Sequence, residues 1–268
     1  MICIFCKVDS TDSKSIEHIV PESLGGKYFL EKGIVCDNCN NYFAVKVEKP
    51  FLEHETLMFL RSDQAIPNKK GKIPMHEAIL LPDFSVQIQP LVSGHRIMSL
   101  EPDAIRYLMQ QHSVTIEIKG DYSVPTGPTL SRMIAKMALE AMAHRIMSYS
   151  DGINYLANHE QLDLIRNHAR RGDNANWPVN KRKIYNVDAA WKDEVGLKVQ
   201  VLHEHDILHT DKGEYYFIII LFGIEFVINY GGPEIDGYLK WLEDNNGISP
   251  LYSKKNSDFE IKPWHGST

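Results

Sequence analysis

The chain is short of several things, and each shortage narrows the field. It has no apolar run long enough to cross a bilayer: the most apolar stretch, Tyr215 to Ile224, falls well below the ~20 residues a spanning helix needs, and Gly223 and Glu225 interrupt it. No membrane role is expected. It also lacks a surplus of positive charge, since 29 Lys and Arg face 35 Asp and Glu, for a net charge of −6. A protein that coats duplex nucleic acid in general would be basic, so any contact with a phosphate backbone must be local. No internal repeat or low-complexity tract is present, which excludes solenoids and disordered arms. Cysteine is absent after Cys39. Met1 leads straight into the first cysteines with no basic start, apolar core or cleavage site, so the expected compartment is the cytoplasm.

What is there begins with those cysteines. All four lie in two hooks, Cys3-x-x-Cys6 and Cys36-x-x-Cys39. Two hooks of this spacing can present four thiolates to one tetrahedral ion, the usual arrangement of a structural zinc site. Disulfides would need an oxidising compartment, which nothing here supports. Four unrelated core cysteines would not be expected to pair off so completely.

Between the hooks run Ile16-Glu17-His18-Ile19-Val20-Pro21 and Leu24-Gly25-Gly26, and Asn40-Asn41 follows the second hook directly. With the cysteines these residues resemble the HNH endonucleases, in the branch whose pattern is Cys-x-x-Cys, Glu-His-Ile-x-Pro, Gly-Gly, Cys-x-x-Cys-Asn. The likeness is close over the first quarter of the chain and continues through Arg61-Ser62-Asp63 and Lys69-Lys70-Gly71-Lys72. It implies a ββα-metal unit, two strands followed by a helix, that hydrolyses phosphodiester bonds. His18 would be the general base. Glu17 and Asn40 would hold a catalytic divalent ion, and Cys3, Cys6, Cys36 and Cys39 a structural zinc. DNA is the expected substrate ahead of RNA, the products would carry 5′-phosphates, and bacterial defence or a mobile element is the biological setting that family habit suggests.

The same residues make chemical sense without the family. Phosphodiester hydrolysis needs a base for water, a divalent ion at the phosphate and relief of charge on the leaving oxygen. A histidine's ordinary pKa lies near neutrality, which suits the first task. Carboxylate and amide oxygens are hard ligands that favour Mg2+ or Mn2+ over the soft thiolate site. Adjacent strand residues face opposite ways, so a shared role for Glu17 and His18 asks for a twist or bulge. Two positions depart from the commoner family pattern: Glu31 replaces an Asn that steadies the catalytic His, and Ala44 replaces a metal-binding His. Asn41 reads as a helix-start residue and Glu48 as a solvated charge in preference to further ligands.

The architecture expected is α+β. Residues 1–73 form a zinc-clamped nuclease domain, and residues 74–268 a mixed domain with a mainly antiparallel sheet covered by helices. A helix after Asn40 should stop at Pro50. Strands are expected in 73–98, 114–118 and 197–208, and a hairpin in 214–229 turning near Phe222-Gly223. Helices are expected over 102–111, from Thr129 or Ser131 to Met147, over 159–170 and over 233–244. The helix ending at Met147 carries one apolar stripe, with Lys136 and Arg145 beside it as solvated charges. Candidate phosphate contacts are Lys69, Lys70 and Lys72 in one basic loop, and Arg171, Lys181 and Arg182 in a second cluster, where Trp177 and Tyr185 could stack a base but a surface loop with a half-buried Trp is expected ahead of that. His203 and His205 alternate on one strand and read as a polar face ahead of a metal site. The second domain could recognise the target, receive a signal, or hold a homodimer together. The competing reading is a zinc-organised binding module without catalysis. Glu31 and Ala44 favour it; Glu17, His18 and Asn40 oppose it.

Overall fold

The computed structural model describes residues 1–253, apart from 69, 92–93, 100, 119–122, 174–176, 188, 193–195 and 197. The chain divides into two compact units. One holds residues 1–21, 25–49 and the described residues from Thr126 onward; the other holds 22–24 and 50–125. Every strand pairing is antiparallel, and helices and sheets are mixed in an α+β arrangement.

Helix α1 spans Asp37–Phe43 and passes into a π-helical turn, Ala44–Glu48, where the Lys49 N–H donates to the Ala44 carbonyl. A short piece, α2 (Lys49–Leu52), follows without a break. Pro50 therefore does not end the helix, contrary to expectation. It stands in the first turn after the π-helical step, where a missing N–H costs little. Next come α3 (Glu55–Asp63), strands β1 (His76–Leu80), β2 (Phe84–Leu91) and β3 (Gly94–Met98), α4 (Pro102–Gln110) and β4 (Ile116–Glu117). These strands form one sheet in the order β3-β2-β1-β4. Ala78, Leu80, Val86 and Ile88 alternate with outward residues and are buried with Tyr107 and Leu108 of α4.

The other unit is built on α5 (Gly127–Ile146). It is followed by α6 (Gly152–Asn158), which the sequence did not signal, and by α7 (Asp163–Arg171), closed by Gly172 at φ +70°. Then come β5 (Asn180–Lys183), β6 (Ala190–Lys192), β7 (Lys198–Gln200), β8 (His203–His209), β9 (Tyr215–Leu221), β10 (Ile224–Asn229), α8 (Asp236–Asp244) and α9 (Pro250–Ser253). The main sheet runs β5-β10-β9-β8, with β6 and β7 as a separate ribbon. Seven residues of β9 read almost wholly apolar because the strand is interior and covered on both faces. Tyr216, Ile218 and Ile220 pack with Tyr238 of α8 and Leu251 of α9, while Phe217, Ile219 and Leu221 are equally buried.

Helix α5 was expected to bury one stripe, but it is buried on all sides from Leu130 to Ala141, Lys136 and Glu140 included. It packs against α6, α7, β10 and the π-helical turn. Arg166 on α7 ties this helical layer to the first cysteine hook: it is 2% exposed, with Nε donating to the Ile4 carbonyl at 2.6 Å, Nη2 to Leu156 O at 2.9 Å, and Nη1 paired with Asp163. Arg166→Met takes the donor from the buried Ile4 carbonyl, leaves Leu156 O with the His159 N–H, and removes the cation beside Asp163; a buried acceptor without its donor costs about 1–3 kcal/mol. A loss of about 3 kcal/mol in urea unfolding is expected, and a loss below about 1 kcal/mol would show that these bonds are replaced by water.

Candidate active site

The two hooks are shaped by backbone. Cys3 N donates to Val8 O at 2.9 Å and Lys7 N to Cys3 O at 2.9 Å, with Lys7 at φ +59°, so the first hook is a tight knuckle. Ile4 N donates to Ile34 O at 3.0 Å and joins it to the second hook. Cys36 is the N-cap of α1, its sulfur accepting from Cys39 N at 3.4 Å. The Cys36 N–H donates to Cys3 Sγ at 3.3 Å. All four ligand sulfurs lie within 4.8 Å of one another, and Cys6 Sγ is 3.6 Å from Cys36 Sγ. A tetrahedral site with Zn–S near 2.3 Å requires S···S near ~3.8 Å. A disulfide would need ~2.05 Å. All four are free thiols, and together they form a cluster able to bind zinc.

The thiols are not equivalent. The hydrogen bond from Cys39 holds Cys3 down to about 4 and pushes Cys39 up, and burial raises Cys6 to about 11.

After the first hook the chain makes a short antiparallel pair. His18 bridges Phe29, Leu30 N donates to Glu17 O at 2.8 Å, and Ile19 N donates to Tyr28 O at 3.2 Å. The connection closes through Gly26 N to Pro21 O at 3.2 Å. A Cβ on Gly26 would stand 1.7 Å from Val20 O, so the second glycine of the pair is obligatory. Helix α1 then follows, so the two strands expected before it are reduced to an isolated antiparallel bridge with flanking backbone bonds. Asp37, in its first turn, accepts from Lys14 N at 3.0 Å and from Ser15 N at 2.8 Å, holding the entry to the first strand against the helix. Sequence reasoning missed Asp37, although an acidic residue directly after an N-cap was the available signal. Asn40 Nδ2 donates to Ile16 O at 3.3 Å, which brings this amide beside Glu17-His18. His18 is half-buried, with its ring edge-on to Phe29 at 6.2 Å. Glu31 is exposed and Ala44 half-buried.

Glu17 is 7% exposed and belongs to a buried ion cluster. Lys136 of α5, fully buried, places Nζ 2.8 Å from Glu17 Oε1, 3.0 Å from Glu48 Oε1 and 2.8 Å from Glu140 Oε2. Two expectations are corrected here, because neither Lys136 nor Glu48 is a solvated charge; each is neutralised inside the protein. Burial alone would lower Lys136, but the three carboxylates hold it well above the ordinary lysine range. Glu140 is pushed well up by burial against the attraction of Lys136. The sequence carried a trace of this cluster in Lys136 and Glu140, an i,i+4 pair inside an otherwise apolar helix.

These elements invite comparison with known proteins. Residues 3–56 match the HNH endonuclease family. The N-terminal segment is therefore an HNH domain with its four cysteines gathered together, which supports a nuclease-type function; the rest of the chain lies outside the match. No curated protein and no solved structure matches the chain.

Beyond the HNH domain, the basic candidates divide by exposure. Lys70 and Lys72 are exposed on a turn held by Asn68, whose Oδ1 accepts from both of their N–H groups at 2.9 and 3.1 Å; Lys69 lies outside the described residues. Arg171 is exposed at the end of α7. Lys181 and Arg182 fall on β5, so alternation turns Lys181 outward and Arg182 inward. Arg182 Nε donates to Glu225 Oε1 and Nη1 to Gly247 O, both at 2.5 Å, in a network shared with Tyr238. It serves as the counter-ion of a buried glutamate. Trp177 is 4% exposed and stacked on His168 at 5.2 Å, so its ring is not available to a base. Tyr185 donates its hydroxyl to Glu204.

His203 and His205 do not join a metal cluster; among the described residues only the cysteines have that spacing. Burial lowers both, His205 to about 4 with repulsion from His203 and His144 adding to it. An unfolded histidine titrates near ~6.5, so the folded state binds fewer protons between that value and about 4, and stability falls as pH drops through this window. Thermal melts at pH 7.5 and 5.0 should show the loss, and His205→Gln should flatten it. An unchanged slope in that variant would place the sensitivity elsewhere.

Proposed function

We propose that the protein is a metal-dependent endonuclease that cuts DNA, with His18 as general base and Glu17 and Asn40 as ligands of Mg2+ or Mn2+. The observation that carries this reading is the Asn40–Ile16 contact, which sets a helix amide against the strand bearing Glu17 and His18. The donor set fits a hard divalent ion. Glu17 offers a carboxylate, and Asn40 gives its NH2 to Ile16 O, leaving the amide oxygen as the acceptor end. Glu17 is also the carboxylate that α5 reaches through Lys136, in a buried cluster with Glu48 and Glu140.

His18 takes the proton of a water in line with the scissile phosphate. Asn40 and the strand backbone hold the site's geometry, and exposed Lys70, Lys72, Arg171 and Lys181 are the proposed phosphate contacts. A divalent ion bound at Glu17 and Asn40 supplies charge relief at the leaving 3′ oxygen. The four cysteines hold a structural zinc, separate from that ion. In chain order, residues 1–73 carry the nuclease function and 74–268 its target recognition, regulation or dimerisation, in the cytoplasm.

The test is side-by-side incubation of matched DNA and RNA with the zinc-loaded protein and added Mg2+ or Mn2+. DNA nicking with 5′-phosphate ends is expected, suppressed by salt through the phosphate contacts. Preference for RNA would change the substrate, and no cleavage of either at millimolar metal would favour the zinc-organised binding module.

A further inference from the structure

Resting on that reading of Glu17, we infer that Lys136 is a positioning residue of the nuclease site: its ammonium, shared with Glu48 and Glu140, fixes the Glu17 carboxylate in the orientation that receives the divalent ion. Helix α5, far outside the matched residues 3–56, is then part of the active centre.

The argument is geometric. Lys136 donates hydrogen bonds to Glu17 Oε1 and Glu140 Oε2, both at 2.8 Å, and its ammonium also pairs with Glu48 Oε1 at 3.0 Å, so three carboxyl groups surround one charge. The three partners come from three places: the strand residue before His18, the π-helical turn that continues α1, and α5 itself one turn on. One point charge thereby ties together both segments that carry the proposed ligands, because the helix of Asn40 runs on into the turn of Glu48, and Glu17 directly precedes the His18–Phe29 bridge.

A cluster of this kind is a poor device for stability alone. Burying one ammonium with three carboxylates costs desolvation that apolar packing would avoid, and buried ion pairs are often replaceable by hydrophobic residues without loss. The π-helical turn has a local consequence of the same kind, since such turns are frequent at functional sites, and here the turn ends on Glu48, within reach of Lys136. Without the ammonium, the Glu17 carboxylate loses the hydrogen bond that joins it to α5. A lysine is the suitable cation. Its compact charge accepts three partners around one point, whereas a guanidinium spreads its donors over a plane.

The experiment is an Mn2+ titration followed by electron paramagnetic resonance on the zinc-loaded full chain, with zinc content and thermal melting measured on the same samples. Glu140→Gln alone serves as the reference for the paired variant, so that the effect of Lys136 is read apart from that of the carboxylate. Lys136→Met paired with Glu140→Gln, which removes one charge of each sign, should keep one zinc and bind Mn2+ at least tenfold more weakly. Because that pair could fail to fold, Lys136→Arg provides a second arm: it keeps the charge, changes the donor geometry, and should also lose at least tenfold. Natural affinity in a folded Lys136→Met/Glu140→Gln chain, or in Lys136→Arg, overturns the positioning role. Failure of the underlying reading looks different: Glu17→Ala would then bind Mn2+ as the natural chain does, and the inference would fall with it.

Discussion

His18→Ala is expected to lower divalent-dependent DNA cleavage by about 10²–10⁴-fold, the usual worth of a positioned general base, with zinc content and melting temperature unchanged. The separation of activity from stability follows from how the residue is held. His18 takes part in the fold through backbone pairing with Phe29, and its ring is half-buried at 6.2 Å edge-on to that phenylalanine. Truncating the ring removes little packing. Its neighbour is the opposite case: the Glu17 side chain is inside and bonded to Lys136, while its carbonyl accepts from Leu30. Glu17→Ala should remove the divalent ion's carboxylate yet leave Lys136 paired with Glu48 and Glu140, so the chain should still fold. Single-turnover nicking of supercoiled plasmid at saturating Mn2+ reads the base alone. Activity in His18→Ala within threefold of the natural chain would remove His18 from the mechanism.

Much of the HNH domain was legible because its determinants are local. Two cysteine hooks, a Glu-His-Ile-x-Pro strand and a Gly-Gly turn each act over a few residues. Gly26 shows why the turn residue is fixed, since nothing larger than hydrogen fits against Val20 O. The hairpin of β9 and β10 was equally plain, its apolar first arm betraying an interior strand. What the sequence hid was long-range. Lys136 reads as a surface charge beside an apolar stripe until the partners at 17 and 48 are brought to it, and no spacing rule links residues so far apart. Arg182 was hidden for the same reason, because its partner Glu225 belongs to a later strand. Trp177 among basic residues read as half-buried ahead of base-stacking, but its covering partner, the imidazole of His168, could not be named from the sequence. The helix that ran past Pro50 shows a different limit: a proline rule assumes i→i−4 bonding, and the π-helical turn before Pro50 had already changed the pattern.

Removing zinc should have the largest effect of all. Structural zinc in small cysteine sites contributes about 10–16 kcal/mol of apparent binding free energy near neutral pH, comparable with or above the ~5–15 kcal/mol net stability of a typical domain. The two hooks are joined by few direct bonds, among them Ile4 N to Ile34 O and Cys36 N to Cys3 Sγ, and α1 starts from Cys36 as its cap. Cys36→Ser therefore removes a ligand and replaces the sulfur that caps the helix bearing Asn40. It should lose the bound ion and lower the melting temperature by more than about 10 °C. The damage should reach α7, because Arg166 depends on the Ile4 carbonyl inside the first hook. A zinc-selective chelator should reproduce this in the natural chain, whereas withdrawing magnesium should leave the melt untouched. Mass spectrometry of the native protein is expected to find one tightly held zinc per chain, with the second ion weak until a phosphate adds its own oxygens. If Cys36→Ser keeps full stability and metal, or if Glu17→Ala loses zinc, the division into a sulfur clamp and a separate oxygen-ligated site is wrong.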